Sequence, residues 1–372
     1  MRPFPESLLR RIESHGEGLT LLALRMGAFG DILRTLPAVR LVRFALPEAR
    51  IYWVADDRWV QVLADHPDLD GCFAVPRKEW SRLARSPLLW PSLLFSIARF
   101  ARELREVGPS LVLDFHGNLR SGVLGALSGA AIRLGYSGPQ QKEGNRLLTT
   151  HRTPPGPQRM SRMERNLDLV RALGFATAPL PDGGLPFNPS CVLAGRDLVA
   201  SRIGRGRRYA VLAPGASAKQ AYKKPPAELL STAARELRSH EIASLVVHGP
   251  GEESDAARVV EASGGAATLA PPTDLRLLAA IVKHAQILVA GDSGPLHLAC
   301  AVGCPVVAIY GPTDSEVNAP WGVPHAAVSP PGRAYTGVKR LDREAGRFEG
   351  ISSEAVAAAV TDLLRRTGRS RR

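Results

Sequence analysis

An α/β protein made of two doubly wound, Rossmann-like domains is what this sequence predicts, on three observations. The chain has 372 residues, too many for one ordinary core and comfortable for two. Short apolar runs of strand length alternate with helical stretches, the rhythm of βαβ units in a parallel sheet. A Pro/Gly-rich break from Pro179 to Pro189 interrupts that rhythm, which then restarts.

In the first half, Leu19 to Leu24 is an apolar run of strand length, and a helical pattern follows from Ile32 to Phe44. Ile51 to Ala55, Cys72 to Val75, Leu111 to Asp114 and Ile132 to Gly135 are the next strands, with helices at Leu93 to Val107 and Met163 to Leu173. After the break come strands Tyr209 to Ala213, Ala243 to Val247, Ile287 to Ala290 and Val306 to Tyr310. Helices Pro226 to Arg238, Glu252 to Ala262, Leu275 to His284 and Pro295 to Val302 lie among them. The expected division is a first domain over 1–185, a linker over 186–204 and a second domain over 205–350. A final helix, Ser352 to Arg366, is expected to pack back on the first domain, with 351–372 ending in a basic tail of Arg369, Arg371 and Arg372. Doubly wound sheets bind ligands beyond the carboxyl ends of their strands, so a cleft faced by both domains is the expected site.

Composition narrows the class. Apolar residues make up 45% and charged residues 22%, as in ordinary globular proteins. Met1 to Gly18 carries six charged residues, unlike a signal peptide. The longest charge-free apolar stretch, Ser86 to Ala98, holds Pro87 and Pro91 and is thirteen residues long. A membrane-spanning helix needs about 20. A soluble or peripheral, cytoplasmic protein is therefore expected. Cys72, Cys191, Cys300 and Cys304 show no metal spacing and fit a reducing compartment.

The net charge of +13 points to an acidic partner (nucleic acid, anionic membrane or phosphorylated substrate) or to a genome that favours arginine, and both stay open. No aromatic and basic residues interleave as in a nucleic-acid module, so no nucleic-acid partner is expected. Leu88, Leu89, Trp90, Leu93, Leu94, Phe95, Ile97 and Phe100, with Arg85, Arg99, Arg102 and Arg105, form an apolar helix with a basic border. It either covers the first sheet, the favoured reading, or rests on lipid.

Three motifs carry chemistry. In Val289-Ala-Gly-Asp-Ser-Gly-Pro-Leu-His-Leu-Ala299 a buried strand ends in a glycine-flanked turn, and a helix starts with Pro295 at its first position. The amides of Ser293, Gly294 and Leu296 would point from a helix N-terminus that favours anions. Helix capping by Asp292 or Ser293, with His297 merely packed, is the plain alternative. The second motif, Ala213 to Pro226, sets Ser217, Lys219, Lys223 and Lys224 on a loop suited to phosphate oxygens, or on a solvated basic loop. The third, Gly27-Ala-Phe-Gly-Asp31, lacks the third glycine of a dinucleotide fingerprint, which counts against a dehydrogenase. Its carboxylate would take a proton from an acceptor hydroxyl, or simply cap a helix.

Gly27-x-x-Gly-Asp31 followed by Ile32-Leu-x-Thr-Leu-Pro-Ala38 resembles the opening of the family 9 glycosyltransferases, the ADP-heptose:lipopolysaccharide heptosyltransferases. Gly291 to Ala299, with Gly303, Pro305 and Tyr310-Gly-Pro-Thr-Asp314, is similar to that family's second signature. The resemblance implies a two-domain GT-B fold and an inverting transferase without a metal cofactor. It implies Asp31 as general base, and a donor site of Ser217, Lys223, Glu252, Asp292, Ser293, Gly294, Pro295 and His297 for ADP-heptose. Because the family usually reads Lys-x-Trp-Pro where this chain has Lys223-Lys224-Pro225-Pro226, Lys223 versus Lys224 is open, as is Glu252 versus Glu253. Asp114-Phe-His-Gly-Asn-Leu-Arg-Ser121 is similar to the segment by which the first heptosyltransferase meets lipid A bearing Kdo, an acidic sugar. That likeness implies His116 and Arg120 as acceptor residues, with His116 where glutamine is usual. Gly135 to Arg146 resembles the family's next acceptor loop, with Lys142 for an arginine, and Gly30 beside Asp31 is the other implied acceptor residue. Burial is expected to raise the pKa of Asp31 toward that of a useful base. The implied partners are a nucleotide sugar, a Kdo–lipid A acceptor and the anionic inner-membrane surface on its cytoplasmic side. A second heptosyltransferase, or a family 9 enzyme for another sugar, is the neighbouring alternative.

Overall fold

The computed structural model describes residues 3–154, 156–157, 159–175, 185, 189–332 and 348–369. It divides into two compact units, Met1–Pro186 and Phe187–Arg372. Most of the expected break at Pro179 to Pro189 lies outside the described residues, as do Arg371 and Arg372 of the basic tail.

The first unit is built on β1 (Thr20–Leu24), β2 (Arg50–Asp56), β3 (Gly71–Val75), β4 (Leu111–Asp114), β5 (Ile132–Gly135) and β6 (His151–Arg152). They form one sheet in the order β3-β2-β1-β4-β5-β6, parallel at every pair. Both faces are covered, so β1 and β4 are buried along their whole length and are apolar rather than alternating. The chain runs outward from β1 to β3 and then crosses back to β4, so the strand order reverses between β1 and β4. At such a point successive connections leave in opposite directions and open a crevice at the carboxyl ends. The register sets Leu24 beside Asp114 there.

Ile32 to Phe44, expected as one helix, is two: Phe29–Leu33 and Leu36–Ala45. Pro37 stands in the first turn of the second, where its missing N–H costs nothing; inside a continuous helix its ring would meet the carbonyl four residues back. The helix Trp90–Glu106 lays Phe100 and Leu104 on the core formed by Leu24, Val54 and Val112. That half covers the sheet as the favoured reading expected. Leu88 to Phe95 does not, and its apolar side chains are largely exposed.

The second unit repeats the plan with β7 (Tyr209–Ala213), β8 (Ala243–Val246), β9 (Ala267–Leu269), β10 (Leu288–Gly291), β11 (Val306–Ile309) and β12 (His325–Val328). Their order is β12-β11-β10-β7-β8-β9, again parallel throughout. Here the reversal falls between β7 and β10, with Ala213 beside Ala290.

Two expectations about boundaries are corrected. The 186–204 segment is not a linker, because Pro189–Ile203 is a helix that packs against the helix Leu275–Lys283 of the second unit. Nor does the last helix, Ser353–Arg366, dock on the first unit. It buries Val356, Val360, Leu363 and Leu364 in the second unit's core against Leu230, Ala234, Leu237 and Val307. An apolar stripe at 3–4-residue spacing needs the nearest apolar partner, and the helix Ala227–Ser239 supplies it.

Candidate active site

The first unit places Asp31 just after β1, in the short helix Phe29–Leu33. Its carboxylate meets three guanidinium groups from different parts of the chain. Arg25 Nη2 lies 2.7 Å from Oδ2, Arg34 Nη2 3.3 Å from Oδ1 and Arg162 Nη1 3.5 Å from Oδ1. Arg25 also donates to the carbonyl of Phe115, which ties the β1 turn to the β4 turn across the strand reversal. Arg162 opens the helix Arg162–Arg171, and Asn166 of that helix donates to the carbonyl of Arg34 and to Thr35 Oγ1, each at 3.0 Å. Tyr136, after β5, donates in turn to Asn166 at 2.8 Å, and the Arg165 guanidinium lies over its ring.

The expected rise in the pKa of Asp31 is not found. Burial does push it up, but the charges of Arg25, Arg34 and Arg162 outweigh burial and hold the carboxyl well below the usual range. The side chain nevertheless keeps 20% of its surface open. One carboxylate set among three guanidinium groups leaves spare positive charge, suited to an anionic ligand.

The turn after β4 is organised by Asp114. Its Oδ1 accepts the amides of His116 and Gly117, both at 3.0 Å. Its Oδ2 accepts Ser121 Oγ at 2.9 Å and Asn145 Nδ2 at 2.8 Å. Asn145 also donates to the carbonyl of Asn118, and the amide of Lys142 donates to the carbonyl of Gly117. One buried carboxylate therefore joins the 114–121 segment to the 142–146 loop. Burial raises its pKa, opposed by these four donors. The charges that act on the His116 ring include those of Arg25, Asp31, Arg120 and Lys142. Fold thus gathers four sequence-predicted residues, Asp31, His116, Arg120 and Lys142, around one spot. Arg120 and Lys142 are exposed there, and Gly30 is half-buried with its carbonyl taken by Arg34 Nε at 3.3 Å. Burial, with the cations around it, lowers the His116 pKa to about 3, and its Nδ1 has no hydrogen-bond partner.

In the second unit the loop after β7 and the turn after β10 are bolted together by a buried ion pair, Lys223 Nζ to Asp292 Oδ2 at 2.8 Å. His297 Nε2 stands 3.4 Å from the other oxygen of Asp292. Lys224 pairs instead with Asp255, so the two adjacent lysines have separate places, and Lys223 is the one at the Asp292 turn. Gly291 is required by this closure. A Cβ there would stand 2.9 Å from the carbonyl oxygen of Lys223 and 3.0 Å from the Pro225 ring. Ser293 is the N-cap of the helix Gly294–Ala301, which starts one residue before the expected Pro295. Its Oγ caps nothing and is buried without a partner. Thr313 Oγ1, after β11, is likewise buried and without a partner. The unanswered Ser293 hydroxyl at a helix N-terminus is an arrangement that suits an oxygen-rich anion.

Glu252 is distinguished from Glu253 in the same way. Its carboxylate accepts the Gly249 amide at 2.9 Å and lies so close to Gly215 that a Cβ there would be 1.9 Å from Oε2. It therefore spans the turns after β7 and β8, whereas Glu253 is exposed on the first helical turn. Ser217 is exposed.

Sequence reasoning missed Arg34, Arg162 and Arg165, and gave no role to Arg25, Asp114, Asn145 or Thr313. Arg25 and Asp114 each close a strand next to a motif, which was a usable signal. Arg162 had none, being 131 positions from Asp31.

The sequence pattern of Glycosyltransferase family 9 (heptosyltransferase) matches residues 97–346, about two thirds of the chain. Lipopolysaccharide heptosyltransferase 1 of Pseudomonas aeruginosa is 25% identical over 311 residues, covering 82% of each chain. Lipopolysaccharide heptosyltransferase 3 of Escherichia coli K12 is 24% identical over 299 residues, 78% of this chain and 82% of that one. Among solved structures, a glycosyl transferase family 9 protein of Veillonella parvula superposes with a TM-score of 0.75 at 20% identity, covering 94% of this chain and 98% of its own. The E. coli heptosyltransferase WaaC with ADP gives 0.71 at 20% identity, over 93% and 100%. These likenesses show a shared fold, the two-domain GT-B class expected from the sequence.

Proposed function

The chain belongs to glycosyltransferase family 9, and from that starting point we propose that it moves heptose from ADP-heptose to the Kdo-bearing inner core of lipopolysaccharide. The reading is an inverting transfer without a metal cofactor. The observation that supports it most is the grip of Arg25, Arg34 and Arg162 on Asp31, with Arg120 and Lys142 nearby. One base in strongly positive surroundings suits a sugar acceptor that carries its own carboxylate or phosphate.

In this reading the second unit holds the donor. The diphosphate takes the amides at the start of Gly294–Ala301, the Ser293 hydroxyl and Lys223, while Glu252 receives the ribose hydroxyls. The acceptor hydroxyl attacks the anomeric carbon, the bond from that carbon to the diphosphate oxygen breaks, and ADP leaves with the bonding pair. Asp31 takes the acceptor's proton. Negative charge grows on the leaving diphosphate and is met by the lysine and the helix-terminal amides. A carboxylate in three ion pairs is a weak base. An acceptor anion that draws Arg162, the longest of the three contacts, toward itself weakens that hold and strengthens the base. Acceptor binding and base activation are then coupled. Because the acceptor is lipid-linked, the protein works at the cytoplasmic surface of the inner membrane.

A second reading, transfer to a core that already carries heptose, is favoured by His116 where the resemblance expects glutamine and by likeness to a heptosyltransferase 3. The deciding experiment is mass spectrometry of the products formed from ADP-heptose with Kdo-lipid A or with a heptosylated core. One added heptose on Kdo-lipid A, lost in Asp31→Ala, supports the first reading. Product only with the heptosylated core supports the second, and product with neither removes both.

A further inference from the structure

The helix Trp90–Glu106 divides sharply along its length. Its C-terminal half buries Phe100, Ala101 and Leu104 in the first unit. Its N-terminal turns, and the short turn Pro87–Leu89 before them, bury nothing: Leu88 is 90% exposed, Trp90 53%, Leu94 65% and Phe95 74%. On a helix, residues four apart share a face. Trp90, Leu94, Ala98 and Arg102 make one exposed row, and Pro91, Phe95 and Arg99 make the row beside it. Each row begins apolar, reaches an arginine, and ends one turn later in the glutamate that pairs with it. Over the 77–106 segment, seven basic residues stand against three acidic ones, and Lys78, Arg82 and Arg85 are exposed just before the apolar turns.

We propose that this element is a wedge that seats the first unit on an anionic phospholipid bilayer. Leu88, Leu89, Trp90, Leu94 and Phe95 enter the acyl boundary, and Arg99 and Arg102 meet lipid phosphates one to two turns higher. The order of chemistry along the two rows selects this occupant. A bilayer presents an apolar interior and then, within a helical turn or two, a negatively charged layer, and the rows present the complement in the same sequence. A protein partner would have no reason to require that gradient in depth. Arg99 pairs with Glu103 at 3.3 Å and Arg102 with Glu106 at 3.4 Å, both in open solvent. Such exposed pairs are weak and give way to a phosphate. No helix among the described residues is long and apolar enough to cross a membrane, so the wedge lies in the surface layer. The inference gives the proposed membrane association a specific surface, yet it needs no acceptor. Plain vesicles test it, and its failure leaves the transferase reading intact.

The experiment is co-sedimentation of the full chain with vesicles of phosphatidylcholine alone and of phosphatidylcholine with phosphatidylglycerol. Wild type is expected to bind the anionic vesicles about tenfold or more tightly than the neutral ones. The paired change Leu94→Asp with Phe95→Asp should cut binding to anionic vesicles by about tenfold or more. Arg99→Gln with Arg102→Gln should remove most of the preference for phosphatidylglycerol. All changed residues are exposed, so circular dichroism and transfer to a water-soluble acceptor should match wild type. Equal vesicle binding by wild type and Leu94→Asp/Phe95→Asp overturns the proposal. So does a dimer, seen by light scattering without lipid, that Leu94→Asp/Phe95→Asp dissolves while wild type ignores vesicles.

Discussion

Lys223 Nζ and Asp292 Oδ2 stand 2.8 Å apart in a nearly closed environment, joining the loop after β7 to the turn after β10. A buried pair broken on one side leaves an uncompensated charge, at a cost of about 3–5 kcal/mol. Lys223→Ala should therefore lower stability on that scale and abolish ADP binding. Lys224→Ala, whose partner Asp255 sits in a half-open site, should cost about 0–1 kcal/mol. Denaturant melts and calorimetric ADP titration of both variants check this. Equal effects would refute separate places for the two lysines.

Asp31→Asn should cut transfer by about a thousandfold, the usual scale for a removed general base, with ADP affinity unchanged. The sign of its pH dependence follows from a folded pKa below the unfolded one. Ionised Asp31 adds stability above the unfolded value of about 3.9, and that contribution is lost only as pH falls through the lower folded value. Stability curves of wild type and Asp31→Asn should stay apart down to about pH 4 and converge below it. Convergence already near pH 6 would contradict the three-arginine grip.

His116, with its pKa lowered to about 3, should be neutral through the whole working range. Nitrogen-resolved NMR of the imidazole ring should show no titration from about pH 8 down to about pH 5, two units above that value. An imidazolium signal in that window would remove His116 as a neutral contact.

The Asp114–Asn145 bond should hold the acceptor loops rather than the donor turn. A double-mutant cycle of Asp114→Asn and Asn145→Ala should give a coupling of about 0.5–3 kcal/mol. In both single variants KM for the acceptor should rise while KM for ADP-heptose stays level. A rise in both alike would mean general loosening of the fold.

Ser293→Ala separates a ligand contact from a structural one. Its hydroxyl is buried without a partner, so removing it should leave stability level or slightly raised. ADP affinity should nevertheless fall by about tenfold, the value of one hydrogen bond to a charged group. A clear loss of stability with unchanged ADP affinity would show that the hydroxyl is not aimed at the donor.

The sequence by itself determined the inner strands, the motif turns and the family. β7, β10 and β11 are continuous apolar runs, and β1 and β4 depart from this only at Thr20 and Asp114 at their ends, because a parallel sheet covered on both faces must bury every residue. Of the four edge strands only β3 was legible. His151–Arg152, Ala267–Leu269 and His325–Val328 are two to four residues long and are defined by pairing with a neighbour rather than by their own pattern. The same distinction runs through the site. Asp31, Asp292, Ser293 and His297 were singled out because each lies in or just after a strand-end turn that is built locally, with glycines and a proline at fixed spacing. Only tertiary structure decided that Lys223 rather than Lys224 faces Asp292, that Glu252 spans two turns, and that Arg162 reaches Asp31. It also reversed the expected direction of the Asp31 pKa: Arg25 and Arg34 flank Asp31 in the sequence, but that their guanidinium groups turn onto its carboxylate, and that Arg162 joins them from 131 positions away, is decided by the fold.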